Sequence, residues 1–118
     1  MDGQVSWVVE VAVRPGALDS LKDLMEELVA GARAEPGTLC YEWYVSDDDG
    51  TIHVYERYAD SEATIVHNRA FAERGAERFL AAVEPTRFTV YGNPSAAARA
   101  VLDGFGATYL DAWGGFSR

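Results

Sequence analysis

Residues 38–59 read TLCYEWYVSDDDGTIHVYERYA, and the way this stretch pairs with itself decides the fold. Two runs rich in Tyr, Trp, Val, Ile and Thr flank Asp47-Asp48-Asp49-Gly50, an acidic loop ending in glycine of the kind that joins hairpin strands. A loop of even length from Ser46 to Thr51 sets Tyr41 opposite Glu56 and Trp43 opposite Val54, with Leu39 facing Tyr58 and Val45 facing Ile52. These residues form one face of the hairpin, apolar except for Glu56. The second face carries Cys40, Glu42, Tyr44, His53, Tyr55 and Arg57. A slip of one residue would exchange the two faces, so the parity of the loop matters. The first face is expected to lie under helices. The second mixes aromatics with charges that pair diagonally, such as Glu42 with Arg57. It reads as a surface that meets another sheet, most simply in a two-fold dimer; a solvated face is the plainer alternative.

The flanking sequence supplies the rest of a domain. In residues 5–14, VSWVVEVAVR, Trp7, Val9, Val11 and Val13 alternate with a more mixed set, the period of a strand. Pro15-Gly16 ends it. Leu18, Leu21, Met25, Leu28 and Ala32 then recur at helical spacing up to Glu35-Pro36-Gly37. After the hairpin, Ser61 is the expected N-cap of a second helix running to about Val83, weakened at Gly75 and ended by Pro85. RFTVYG is the fourth strand. Asn93-Pro94-Ser95 opens an Ala-rich third helix, and a glycine-rich tail follows with Tyr109, Leu110, Trp113 and Phe116. The order β-α-β-β-α-β predicts an α+β, ferredoxin-like domain over residues 1–93, an antiparallel sheet with two helices on one face. Residues 94–118 form a helical extension that either closes a pocket or wraps a partner subunit.

Composition narrows the function. The 118 residues suffice for one domain, and 48% are hydrophobic. A net charge of −9 repels phosphate backbones and anionic membranes, so neither nucleic acid nor a membrane is an expected partner. Cys40 is the single cysteine, which leaves no zinc spacing and suits an inert thiol. No leader-like or membrane-spanning stretch is visible, and the expected location is the cytoplasm.

Three segments in this order resemble the antibiotic biosynthesis monooxygenase domain family. They are Glu35-Pro36-Gly37-Thr38-Leu39-Cys40-Tyr41-Glu42, then Val54-Tyr55-Glu56-Arg57-Tyr58 with Asp60, then the helix pair Val66-His67. The resemblance implies a dimeric α+β barrel with a pocket between each sheet and its helices. In some members an electron-rich aromatic anion reduces dioxygen with no metal, flavin or haem, and so no cofactor is implied here. On that reading the expected partners are a small aromatic molecule, O2 and a second copy of the chain.

The resemblance and the two faces together give an expected site that is catalytic at His67, Asn68 and Tyr41, with Trp7, Trp43, Glu56 and Tyr58 binding substrate. His67 falls on the family's helix histidine, where a neutral imidazole would take a phenolic proton. A helical wheel over the whole second helix sets it off the stripe of Ile65, Ala72, Ala76, Phe79 and Val83, beside Arg74 and Arg78, so a simply exposed ring is the alternative. Asn68 lies near that stripe, able to hydrogen-bond a carbonyl or dioxygen, or merely a backbone group. Glu56 is either the partner of His67 or a strand-end acid tied to tyrosines. Trp7, Tyr41, Trp43 and Tyr58 suit a flat ligand, though aromatics under helices are usually core. The family's frequent second histidine is missing from Asn68–Glu73, which disfavours a phosphorylated substrate, and helix two has neither the later histidine nor the Trp of haem-degrading relatives. A non-catalytic binding module and an isomerase or lyase using the same pocket are the competing functions.

Overall fold

The computed structural model describes residues 3–118. Strand β1 spans Val5–Val13, helix α1 Leu18–Arg33, β2 Thr38–Val45, β3 Thr51–Tyr58, α2 Ser61–Arg74, α3 Ala76–Ala82, β4 Val83–Tyr91, α4 Ala96–Asp103 and β5 Thr108–Leu110. The strands form one sheet in the order β2-β3-β1-β4-β5. Its first four strands are antiparallel neighbours, the ferredoxin-like arrangement expected from the sequence. The fifth was not expected: β5, from the extension, runs parallel to β4 with Val90 beside Tyr109. Residues 94–110 therefore continue the same sheet and the same core.

The hairpin has the predicted register, Tyr41 opposite Glu56 and Trp43 opposite Val54, over most of its length. A bulge between Thr38 and Cys40 sets Thr38, rather than Leu39, opposite Tyr58 and leaves Leu39 exposed. Val45, expected under the helices, is also exposed at the far end of the hairpin. The covered face of the sheet holds Val5, Trp7, Val11, Val54, Tyr58, Val83 and Val90, all nearly inaccessible to solvent. Leu21 and Leu24 of α1 pack on one end of it, and Leu102 of α4 packs with Trp7 and Tyr58 on the other. The opposite face carries no buried residue among its strand positions, and Tyr44 and Tyr91 stand open there.

Helix two departs from expectation in three ways that shape the site. Its N-cap is Asp60, whose carboxylate accepts the Ala63 N–H at 2.9 Å; Ser61 instead accepts the Ser95 N–H at 2.9 Å and ties the extension to α2. The helix also breaks at Gly75. A Cβ there would lie 2.7 Å from Leu28 Cδ2, so glycine lets α1 approach closely, and α3 restarts at Ala76 after the non-helical Gly75. Finally, Pro85 does not end the helix. Ala82 does, and Pro85 lies inside β4 next to a register shift between Glu10 and Val11. A proline without an N–H fits a stretch of strand beside an irregularity, on the outer side of which β5 has not yet begun to pair.

Candidate active site

The break at Gly75 explains where His67 lies. A wheel drawn through residues 61–83 mixes two helices of different phase. Taken alone, α2 buries Thr64, His67 and Asn68 and half-buries Phe71, the i, i+3, i+4, i+7 face of a single helix. His67 is thus central to the covered face, only 7% exposed, and of the two alternatives left by the wheel the exposed ring falls away.

Two carboxylates flank the ring. Nδ1 lies 2.8 Å from Glu35 Oε1, and Nε2 lies 3.2 Å from Glu56 Oε1. The sequence marks Glu35 as part of a helix stop and of a segment resembling the family, but not as a site residue. It reaches His67 because Gly37 lets the α1–β2 connection press against α2: a Cβ on Gly37 would fall 2.5 Å from the Ala63 Cβ. Thr38 Oγ1 donates to Glu35 at 2.8 Å, and the Tyr58 hydroxyl donates to Glu56 at 2.5 Å. Both sequence alternatives for Glu56 hold together, since it serves the histidine and the tyrosine at once.

This arrangement fixes the charge of the ring. Burial pulls the His67 pKa down, but the hydrogen bonds and charges of Glu35 and Glu56 outweigh it and raise the pKa to about 9. At neutral pH the ring is an imidazolium donating from both nitrogens. The neutral base expected from the sequence would need that proton removed, and the carboxylate nearest the Nε2 edge of the ring is Glu56, at 3.2 Å. Glu35 pays for its own burial, yet the hydrogen bond from His67 leads the effects that hold its pKa below the usual carboxylate range. Burial first, and the charge of Glu56 second, push the Tyr41 and Tyr58 phenols well above their ordinary range, so both stay neutral donors.

A cavity of about 100 Å³ opens beside this cluster. Six of the seven expected site residues line it: Trp7, Tyr41, Trp43, Glu56, His67 and Asn68. Tyr58 does not; it is wholly buried and acts on the site through Glu56. Phe71, Phe79 and Phe105 complete an aromatic wall that the sequence reading had not assigned to the site. The rings meet mostly edge to face, Trp43 on Phe79 at 5.9 Å and Phe71 on Phe79 at 5.6 Å between centroids. Asn68 is 7% exposed, and its Nδ2 has no hydrogen-bond partner among the described residues. The Trp43 Nε1 is likewise buried without an acceptor in hydrogen-bond geometry, though the indole is near enough to the Tyr41 phenol to oppose its rise slightly. Buried donors left unpaired in a protein interior are rare, and here two residues that carry one, Trp43 and Asn68, line the same cavity as His67.

A five-stranded α+β sheet with an apolar, aromatic-walled pocket between sheet and helices, and a carboxylate–imidazolium cluster at its base, defines a class of small-molecule-binding domains. The sequence pattern of the family described as antibiotic biosynthesis monooxygenase matches residues 5–85, and the chain belongs to that family. It is 30% identical over 80 residues to the Mycobacterium tuberculosis protein named "Putative monooxygenase Rv0793", covering 68% of this chain and 73% of that one. Among solved structures, MupZ from Pseudomonas fluorescens superposes with a TM-score of 0.89 at 21% identity, over 100% of this chain and 91% of its own. SnoaB from Streptomyces nogalater, a cofactor-independent oxygenase, superposes with a TM-score of 0.67 at 15% identity, over 80% of this chain and 96% of its own. At such identities the structural likenesses show the fold alone. No helix among the described residues is long and apolar enough to cross a membrane.

Proposed function

We propose that the chain is a monooxygenase that oxidises an aromatic phenol, quinol or polyketide-like ring with O2, using no metal, flavin or haem. The observation that carries this reading is the unpartnered Asn68 amide on an aromatic-walled cavity, beside the His67 imidazolium. A donor and a cation at one end of an apolar pocket suit a ring oxygen that becomes negative. In this account the substrate hydroxyl gives its proton to Glu56, and the ring anion is held by His67 and Asn68, with Tyr41 as a further neutral donor. The anion passes one electron to O2, the radical pair combines into a C–O bond, and the hydroperoxide takes up one proton. At a CH2 centre, loss of water then leaves a carbonyl, so that CH2 and O2 become C=O and H2O. Trp7 and Trp43 stack on the rings.

The test is oxygen uptake by metal-stripped protein with a panel of anthrones and quinols, corrected for autoxidation. Asn68→Ala removes a donor that no protein group uses, so the fold should be unharmed while the rate falls about tenfold to a hundredfold. Uptake equal in wild type and Asn68→Ala would refute the assignment.

A second reading, an isomerase or lyase, is favoured by one feature: an acid and a carboxylate base stand side by side with no need of O2, the imidazolium Nε2 lying 3.2 Å from Glu56. Conversion of substrate at the same rate under nitrogen would select it. A partner is proposed for the open face of the sheet as well. Tyr44, Tyr91, His53 and Arg57 are read as meeting a second copy of the chain, and sedimentation at micromolar concentration should give the mass of two chains.

A further inference from the structure

The cavity has a deep end and a shallow one. Trp7, Val54, Glu56, His67, Asn68 and Phe79 are all buried, whereas Leu80, Pro85 and Phe105 are the exposed members of its lining. These three belong to α3, β4 and the turn between α4 and β5, so the pocket meets solvent between α3 and the C-terminal extension. Leu80 is 50% and Phe105 43% exposed, an apolar collar with no charged residue in it.

The volume then becomes informative. A closed apolar cavity of about 150 Å³ accommodates one benzene. The chamber here is smaller, about 100 Å³, but open at the collar, so one ring seated at its base already fills it. A larger ligand has to leave through the collar, past Phe105. That residue is not on a loose lid. The Phe105 N–H donates to Leu102 O at 2.9 Å and the Gly106 N–H to Asp103 O at 3.0 Å. Leu102 is fully buried against Trp7 and Tyr58. On the far side of the turn, the Tyr109 hydroxyl donates to Asp103 at 2.6 Å, and the Arg99 guanidinium sits 4.2 Å above the Tyr109 ring. Phe105 also faces Phe71, with centroids 6.4 Å apart, which continues the aromatic wall outward from the site. The family match ends at residue 85, before this segment begins.

We infer that the α4–β5 turn is the outer wall of the ligand pocket and that Phe105 sets the length of ring system admitted. The substrate class is a molecule with one oxygen-bearing ring seated at His67 and Asn68 and an apolar remainder that emerges between Phe105 and Leu80. This identity rests on the proposed ligand chemistry, whereas the role of Phe105 as a wall rests on geometry alone.

Two measurements separate those two parts. In a Trp113→Phe background the remaining tryptophans, Trp7 and Trp43, both line the cavity, so acrylamide quenching reports access to it without any ligand. Phe105→Ala should raise the quenching constant about twofold or more, while Phe116→Ala, in the exposed tail, leaves it unchanged. No rise in Phe105→Ala overturns the wall. The second measurement is the affinity of phenol, 1-naphthol and anthrone from quenching of the same fluorescence. Phe105→Ala should favour anthrone over phenol about tenfold more than wild type does, and Phe105→Trp should shift the preference the other way. Equal changes for all three probes overturn Phe105 as the gauge. Failure of every probe to bind, with quenching raised as expected, leaves the wall standing and overturns the aromatic-ligand reading.

Discussion

The two histidines stand over opposite faces of one sheet and show what a buried pair adds. His53 projects from β3 on the open face, 48% exposed, with Nε2 3.5 Å from Glu10. His67 projects from α2 over the covered face, where its side chain is 9% exposed and carboxylates lie at 2.8 and 3.2 Å. Each is a histidine near a glutamate. The first contact is solvated, and such pairs contribute little. In the second, water has been replaced by two carboxylates, a threonine hydroxyl and a phenol, and the charge of the ring is part of the structure. The difference is made by distant chain segments: Glu35 arrives through the close approach at Gly37, and Glu56 through the hairpin register.

The largest effect should come from removing the central ring. His67→Ala leaves the buried Glu56 and the half-buried Glu35 without their cation, and chemical unfolding should show a loss of about 3–5 kcal/mol. Oxygen uptake by whatever folds should fall about a hundredfold or more. A stability close to wild type would erase the contrast between the two histidines.

The next effect is a pH dependence whose sign follows from the raised pKa. The folded protein holds the His67 proton to about pH 9, against an ordinary value of 6.5. Its contribution is therefore complete below about pH 6.5 and disappears as pH rises through 9, a loss of about 3 kcal/mol. Urea unfolding at intervals from pH 6 to 10 measures it, and His67→Phe should flatten this part of the profile. Gly37→Ala comes next. The added methyl meets Ala63 Cβ at 2.5 Å, which cannot swing aside, so a cost of about 1–3 kcal/mol and a weakened Glu35–His67 bond are expected by unfolding and by the His67 titration. Gly75→Ala should cost less, because its obstacle is the movable end of Leu28. His53→Ala is the smallest, within about 1 kcal/mol in unfolding of the chain, as befits a solvated pair.

Much of the fold was readable from local pattern. The hairpin parity, the strand alternation at Trp7–Val13 and the α1 stripe each depend on neighbours in sequence, and each fixed an element correctly. The misreadings share a cause. Gly75 was weighed as a small penalty within a continuous helix, but its role is to let Leu28 in, which is a tertiary fact. Treating the break as absent put His67 on the wrong side of the wheel. Pro85 was read as a helix terminator because proline usually is one, while the irregular register beside Val11 admits it to a strand. Within the site, Trp7, Tyr41, Trp43, Glu56, His67 and Asn68 were brought together as expected. Glu35 lies in a turn motif that also carries the family resemblance, and neither feature says that its carboxylate reaches His67. Phe105 lies beyond the minimal domain, and nothing in the local pattern said which surface it would face.

The central claim is that His67 is an imidazolium held between two carboxylates, and nitrogen NMR of the ring tests it most directly. Protein labelled at histidine nitrogen, with His53→Ala as the assignment control, leaves a single ring to follow as pH is raised. The account predicts two protonated nitrogens at pH 7 and a titration near pH 9. A ring already neutral at pH 7, titrating at or below 6.5, would contradict it and return His67 to the role of a neutral base.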